Sequence, residues 1–525
     1  MTKLVADPPV TTATPEEAQA ADSAEEMEND AHQPAALQFA LAAEDVDALV
    51  KRLDRLSGLR AMTAQFQTIV LDTPDHAIAG AGLQFGIRRR LVGGRGGWKR
   101  FVEDLSIATP RSARGFLKKI LRDAPVVDAS AQIATKRRFW LLRFGECRAD
   151  ITLDHLTARI AEKEIVVASV IFASPAANTD FFDFVIAAVD PNRLRLSAES
   201  NLQRIYRSAG VLPTPYVHAF APALHPRMDA ATAFRATASA CFDQFLMNEA
   251  AFRASGDHEA VHQSRVALRR LSACLKFFGS FVTGADRDAL LDEFGEIREH
   301  LRMARDLDVF IADVITPAVG QDPAPDATAL LHEIERRRDR AYVALTDLLN
   351  QPQSAALFLR FAIWVRNGDW CRSDDEKSRK HRAMPIVKYA ERKFAAMNGK
   401  FCVACAELGD VAPEERHKTR IRAKNMRYDA EFMESLTRGK TAEKRLRSFL
   451  KTLKELQTVL GDWNDLLVAR TFLLSFDVGD EMGLAAAAVR IADHIQLVED
   501  DEFRQKSAQC CQALVESRPF WSKLG

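Results

Sequence analysis

Two stretches of the chain set a histidine ahead of a row of cations at helical spacing. The first reads Val261-His262-Gln263-Ser264-Arg265-Val266-Ala267-Leu268-Arg269-Arg270-Leu271, and the second runs from Arg416-His417 through Arg420 and Lys424 to Arg427-Tyr428. Basic residues three and seven positions after each histidine fall on its own helical face. That groups His262, Arg265 and Arg269 in one copy, with Arg270 beside them, and His417, Arg420, Lys424 and Arg427 in the other. Each copy is followed by a second row that steps by three or four: Arg298, Arg302, Arg305, then Arg447, Lys451, Lys454. The second rows end in similar clusters, Asp306-Leu307-Asp308 and Asp462-Trp463-Asn464-Asp465, which puts Asp306 and Asp465 in equivalent places.

The chemistry such rows suit is anion binding. Like charges three and four apart repel along a helix, so each row costs stability unless something compensates. A multivalent phosphate ligand compensates directly, because guanidinium groups fork onto phosphate oxygens and ammonium groups act as point charges. Asp306 and Asp465 would then hold arginines in position from behind. Two blander readings stand beside this one. Cationic rows are commonly solvated helix faces, and an internal lattice of ion pairs needs no ligand. The repetition, with histidine at the same offset, is what favours a ligand.

The elements that must carry these residues follow from composition. The chain has 525 residues with 72 Lys plus Arg against 72 Asp plus Glu, so net charge points to no partner and only charge distribution can. Residues 1–34 read as a disordered acidic tail. From 35 to 207 the texture is that of short strands: Gln65–Leu71, Leu83–Arg90, Gly97–Val102, Phe139–Phe144, Cys147–Leu153 and Ile165–Phe172. A tight turn is expected at Gly145-Glu146, and helices at Ala43–Leu56 and Arg111–Arg122. Prolines 213, 215, 222 and 226 mark residues 208–227 as a linker. Beyond it, residues 228–525 read as an all-α domain, with long amphipathic patterns broken at Pro317–Pro325 and Gly368–Glu376 and again between Leu460 and Trp463. The fold class is therefore α+β, an antiparallel, barrel-like domain followed by a bundle-type helical domain. Eight cysteines read as scattered reduced thiols with no His/Cys spacing for zinc. No apolar run suits a membrane span or a signal peptide, and a cytoplasmic location is expected.

The helical half resembles the CHAD domain family. The resemblance rests on His-x-x-Arg-x-x-x-Arg-Arg-Leu at 262–271, Arg-Asp-Leu-Asp-Val at 305–309, His-x-x-Arg-Ile-x-x-Lys-x-x-Arg-Tyr at 417–428 and Leu-Gly-x-x-Asn-Asp at 460–465. Asn425-Met426 departs from the usual second motif. The resemblance implies two repeated four-helix bundles and binding of inorganic polyphosphate along a basic central surface, with association to polyphosphate granules as a corollary. It assigns phosphate contacts to His262, Arg265, Arg269, Arg302 and Arg305, with His417, Arg420, Lys424, Arg427 and Lys454 as counterparts.

The strand domain is similar to the CYTH, or triphosphate tunnel, family. Leu71–Asp75 with Gly82 and Ile87–Arg90 matches its first hairpin, and Ile151–Asp154 and Ser200–Tyr206 match later strands. Active members hold divalent metal on inward glutamates, because such cations take hard oxygen ligands. The opening Glu-x-Glu-x-Lys strand here reads Ala36-Leu37-Gln38-Phe39-Ala40, and the later Glu-x-Glu-x-Glu strand becomes Ile165–Val170. Gly86 and Asn201 replace two further cations. The implied domain is a pseudoenzyme with no catalytic residues, no metal and no cofactor. Arg88, Arg90, Arg137, Arg138 and Arg204 would form at most a weak anion site, or else pair with Asp72, Asp150 and Asp154. The competing functions are a metal-dependent triphosphatase or cyclase and a nucleic-acid-binding module. The carboxylate deficit opposes the former. The latter lacks stacking aromatics, with only Tyr428 beside a basic row.

Overall fold

The structure, a computed structural model, describes residues 35–524 except 74–77, 79–82, 92–96, 105–127, 176, 212–215, 322–323, 409–412, 475–481 and 495–500. The expected acidic tail and the expected helix at Arg111–Arg122 lie outside the described residues. The chain divides into two compact units, residues 1–215 and 216–525.

The first unit is built on one antiparallel sheet. Its strands are β1 (Ala35–Leu41), β2 (Met62–Asp72), β3 (Leu83–Leu91), β4 (Lys99–Asp104), β5 (Asp128–Phe144), β6 (Cys147–Ile160), β7 (Lys163–Ser174) and β8 (Leu194–Leu196). They lie in the order β4-β3-β2-β5-β6-β7-β1-β8. Helix α1 (Val46–Ser57) follows β1, α2 (Thr179–Ala188) follows β7 and α3 (Asn201–Ala209) closes the unit. Gly145 adopts φ +61° and turns β5 into β6 at the expected place, since a left-handed residue matches the twist of the paired strands. Alternation drives the sheet: Ile133, Leu156, Ala158, Ile165 and Val167 point into one core with Leu202, Ile205 and Tyr206 of α3.

The segment Ser200–Tyr206, matched above to a strand, is helical. Ser200 caps α3 by accepting from Gln203 N, and the Gln203 side chain accepts from Ser200 N. This capping box satisfies two donors that a strand would have left to a sheet edge.

The second unit is helical. Its elements are α4 (Ala230–Ser255), α5 (His258–Phe277), α6 (Ala285–Phe310), α7 (Thr316–Gln321), α8 (Pro325–Asn350), α9 (Pro352–Asn367), α10 (Asp369–Arg372), α11 (Glu376–Arg382), α12 (Ile386–Ala406), α13 (Pro413–Phe432), α14 (Lys440–Leu474), α15 (Met482–His494) and α16 (Asp501–Val515). A π-helical turn, Ile311–Ile315, joins α6 to α7, so Pro317 sits in the first turn of a helix rather than in a break. Helix α14 runs unbroken through Gly461, where two separate helices were expected.

The repeat seen in the sequence becomes a repeat of packing. Helices α4, α5, α6 and α9 pack together, and so do α12, α13, α14 and α16. Each half has its own aromatic core: Phe242 lies 4.8 Å from Phe361 in the first, and Phe394 lies 5.1 Å from Phe520 in the second. The halves join where α5 meets α13 and where α8 meets α15. At the latter, Ile315, Leu330 and Ile334 share one core with Leu473, Ala487 and Ala492. The segment before α4 is tied to both halves, with Val217 bonded to Asn248 and Leu224 to Ser435. Among the described residues, no helix is long and apolar enough to cross a membrane.

Candidate functional site

Four helices set the basic rows side by side. Helix α6 packs on α5, α5 on α13, and α13 on α14. Each pair of neighbours therefore brings one row beside the next, with the two histidine-led rows in the middle. Asp257 starts α5 by accepting from Ala260 N at 2.9 Å, which fixes the phase at which His262, Arg265 and Arg269 emerge.

On the first half, Asp306 holds two arginines at once. Its Oδ1 accepts from Arg265 at 2.6 Å and its Oδ2 from Arg302 at 3.0 Å. Arg302 also donates Nε to Glu299 at 2.9 Å. That contact lowers the Glu299 pKa and, with Asp306, raises that of Arg302. Asp308, two residues on, is buried instead. It accepts from Tyr342 Oη at 2.7 Å and lies 3.2 Å from His258 Nδ1, tying α6 to α8 and to the start of α5. Arg298 is exposed and turns back to Leu291 O on its own helix.

On the second half, Arg427 is held from three sides. It donates Nε to Gln457 Oε1 at 3.1 Å, pairs with Glu431 at 2.5 Å and stacks 4.7 Å from the Tyr428 ring. Gln457 in turn donates to Ala423 O at 3.2 Å, locking α13 to α14. Arg420 lies over Gly461 of α14, so close that an added Cβ would stand 3.1 Å from its Nη2. Arg447, Lys451 and Lys454 are exposed along α14, and Lys451 lies 3.7 Å from Glu455. The side chain of Asp465 is outside the described residues, so its equivalence to Asp306 stays an expectation.

Electrostatically, the two copies act on each other. The Arg269 pKa is drawn down, first by lost solvation at the helix junction although part of the side chain is exposed, then by Arg265 of its own row and by Arg420 of the other. Burial and then Arg305 hold His262 below the usual imidazole range. Arg269 and Arg265 add to this, and Glu259 opposes it. Among the described residues, Arg269, Arg305, Arg447 and Lys454 form no ion pair. Carboxylates therefore brace part of the surface and leave these four cations outside the ion pairs of the described residues.

Arg270 does not belong to it. This residue is 1% exposed and donates to Gln244 Oε1 at 2.7 Å and to Phe220 O at 2.6 Å. One residue beyond Arg269, it is turned about 100° around the helix and faces the core. The sequence reading also passed over Glu299, Glu431 and Gln457, which position the cations, and named Gly461 only as part of a motif. Spacing to the nearest basic residue gives the two glutamates away, but no local signal identifies the glutamine.

The five arginines of the sheet unit do not all share one face: the register sets Arg88, Arg90 and Arg137 on the face of Thr68, Phe66 and Ala64, and Arg138 on the other. Arg137 is bound bidentately by Asp154, at 2.7 and 2.8 Å. Arg138, its neighbour on the strand, points to the opposite face and pairs with Asp47 at 3.3 Å. Arg88 donates to Thr68 Oγ1 at 3.3 Å, Arg204 donates to Ala168 O at 2.7 Å, and Arg90 is exposed. Asp72 caps local backbone through Thr73 N and Ile78 N, and Asp150 meets Arg148. On the face that carries Asp154, strand β1 offers Ala36, Gln38 and Ala40, and Glu199 is paired with Arg207. These residues do not fit a divalent cation with its triphosphate. Among the described residues, no cluster of three or more His, Cys, Asp or Glu could hold a metal ion.

Residues 236–474 match the family model described as the CHAD domain. The chain is similar to the crystal structure of the CHAD domain from the plant Ricinus communis, at 25% identity over 58% of this chain and 97% of that one, with a TM-score of 0.48. It is similar to PptA from Streptomyces chartreusis at 16% identity, covering 56% of this chain and 100% of that one, TM-score 0.35. A putative adenylyl cyclase from Hippeastrum, whose description reports a dominant triphosphatase activity, matches at 13% identity over 34% of this chain and 98% of that one, TM-score 0.21. No curated protein matches the chain.

Proposed function

With a CHAD domain at residues 236–474 as the premise, we propose that this chain binds inorganic polyphosphate along the surface formed by α6, α5, α13 and α14. The observation that carries the reading is the packing of α5 on α13, which brings Arg420 of the second row into the field of Arg269 in the first. An apposition of like charge from two repeats is relieved by a linear polyanion that touches both. His262, Arg265, Arg269, Arg302 and Arg305 bind from the first half, and His417, Arg420, Lys424, Arg427, Arg447, Lys451 and Lys454 from the second. Arg298 extends the first row.

The sheet unit serves without catalysis in this reading. Its buried carboxylates Asp154 and Glu199 are engaged by Arg137 and Arg207. A nucleic acid is the weaker ligand, because aromatic stacking platforms do not interleave with the rows. Among the described residues, Tyr428 beside the second row is buried under Arg427.

The test is a competition titration on the whole protein, with labelled long-chain polyphosphate displaced by unlabelled polyphosphate or by single-stranded nucleic acid of equal charge. Polyphosphate is expected to compete far better. Equal competition would move the assignment to a general polyanion binder, and no binding would end it. Phosphate release from tripolyphosphate with Mg²⁺ or Mn²⁺ is expected to be absent, and its appearance would restore the triphosphatase reading.

A further inference from the structure

The expectation of scattered thiols overlooks Cys402-Val403-Ala404-Cys405, a C-x-x-C on the last turns of α12. Helix α16, which carries Cys510 and Cys511, packs against α12. Half of the eight cysteines thus meet at one helix pair. Cys405 and Cys511 are 7% and 5% exposed, while Cys402 and Cys510 sit at the half-buried margin.

The Cys405 and Cys511 side chains come within hydrogen-bonding reach of each other across the contact between α12 and α16. That contact and then burial push the Cys405 thiol well up, whereas the same contact draws Cys511 below the ordinary thiol value. The contrast with the other buried pair is informative. Cys241 and Cys274 lie in the first-half core, and burial pushes both upward, which keeps both inert. Among the described residues no group of thiols and other donors is arranged for a metal ion, so redox chemistry at sulfur is the reading the pair supports.

We propose that Cys405 and Cys511 are a peroxide-oxidisable dithiol that cross-links α12 to α16. Hydrogen peroxide, small enough to reach a nearly buried sulfur, is the oxidant. The Cys511 thiolate attacks one peroxide oxygen, the O–O bond breaks and water leaves, giving a sulfenic acid. The Cys405 sulfur then attacks Cys511 Sγ, expelling a second water and forming the S–S bond. The pair loses two electrons and two protons, and the peroxide becomes two waters. The bond closes a loop that contains α13 and α14, so it ties down the helices bearing the second cationic row. A cross-link over so long a loop restricts the unfolded chain strongly. This inference is independent of the ligand assigned to the basic surface.

The experiment treats the full chain with a slight molar excess of hydrogen peroxide, alkylates the remaining thiols in denaturant and maps the peptides by mass spectrometry. A Cys405–Cys511 linked peptide, reversed by dithiothreitol, is expected, together with a melting temperature several degrees above that of the reduced protein. Cys405→Ser should leave Cys511 as a sulfenic acid that reacts with dimedone. Cys511→Ser should give no link. A disulfide between any other pair would overturn the proposal. So would eight alkylatable thiols at an oxidant dose that oxidises a control thiol peptide. The wild-type peptide map decides the matter even if a variant fails to fold.

Discussion

The guanidinium of Arg420 rests on Gly461, with 3.1 Å between its Nη2 and the place a Cβ would occupy. Glycine inside a helix ordinarily costs about 0.5–1 kcal/mol relative to alanine. Its presence within unbroken α14 marks a close approach by the facing helix and leaves the helix intact. Gly461→Ala should therefore leave thermal stability unchanged or raise it. The new methyl pushes the Arg420 tip aside, and polyphosphate affinity should fall several-fold, about the 1 kcal/mol of one weakened charged contact. Melting and titration on the same sample separate the two effects. Unaltered affinity would remove Arg420 from the binding surface.

Reversing charge at the centre of both rows should abolish binding. Arg265→Glu with Arg420→Glu places carboxylates where the two repeats meet, one of them against Asp306. Helix content by circular dichroism should stay that of the parent, because both side chains lie outside the buried core. Wild-type binding should also weaken linearly in log–log plots against salt. For a flexible polyanion the slope is about −0.7 per neutralised phosphate, so Arg269→Gln should make it shallower by roughly that amount. A double variant that binds like the parent would show that the wrong face has been assigned.

His262 is expected to make binding sensitive to pH. Its pKa in the free protein is depressed by burial and by Arg305, Arg269 and Arg265, against the pull of Glu259. The unfolded chain therefore takes up this proton more readily than the folded one. This residue's contribution to stability is present above the unfolded value, about 6.5, and is lost as pH falls through it towards the folded one. A polyanion next to the ring acts in the opposite sense and raises its pKa. Between the free and the bound pKa, binding takes up a proton, and affinity rises as pH falls. Calorimetric titration in two buffers of different ionisation enthalpy should show that uptake, and His262→Gln should diminish it. Equal uptake in the variant would assign the proton to another group.

Arg270 supplies the contrasting case. Replacing it by methionine strands Gln244 Oε1 and Phe220 O without their donors, at a cost of about 2–5 kcal/mol. The folded fraction should bind polyphosphate as the parent does. A loss of affinity without a loss of stability would put Arg270 back on the surface.

Arg269 and Arg270 also show what the sequence could and could not disclose. Helical period and the repeated histidine offset were enough to set the rows on their faces, because both depend only on local geometry. The fate of the second arginine depended on Gln244 and Phe220, far away in the chain, and charge alone does not distinguish a solvated guanidinium from a buried one with two acceptors. Strands β2, β3, β5, β6 and β7 were legible through alternation, although β5 and β6 run well beyond the stretches that alternate most clearly. Helix α3 was misread as a strand although Ser200 and Gln203 spell out its capping box, because likeness to a family pattern outweighed a local signal. The thiol pair was missed since its members meet only when α12 and α16 pack.

Helix α14 spans 35 residues, roughly 52 Å of stiff rod at 1.5 Å per residue. Near one end it presents Arg447, Lys451 and Lys454, and at the other Ala469 and Leu473 are embedded in the apolar seam shared by the two halves. Such a beam cannot swivel at its charged end without prising that seam apart. On the proposed reading, adjustment during docking would then fall to the guest, which favours a limp polyanion over a stiff duplex of similar charge density.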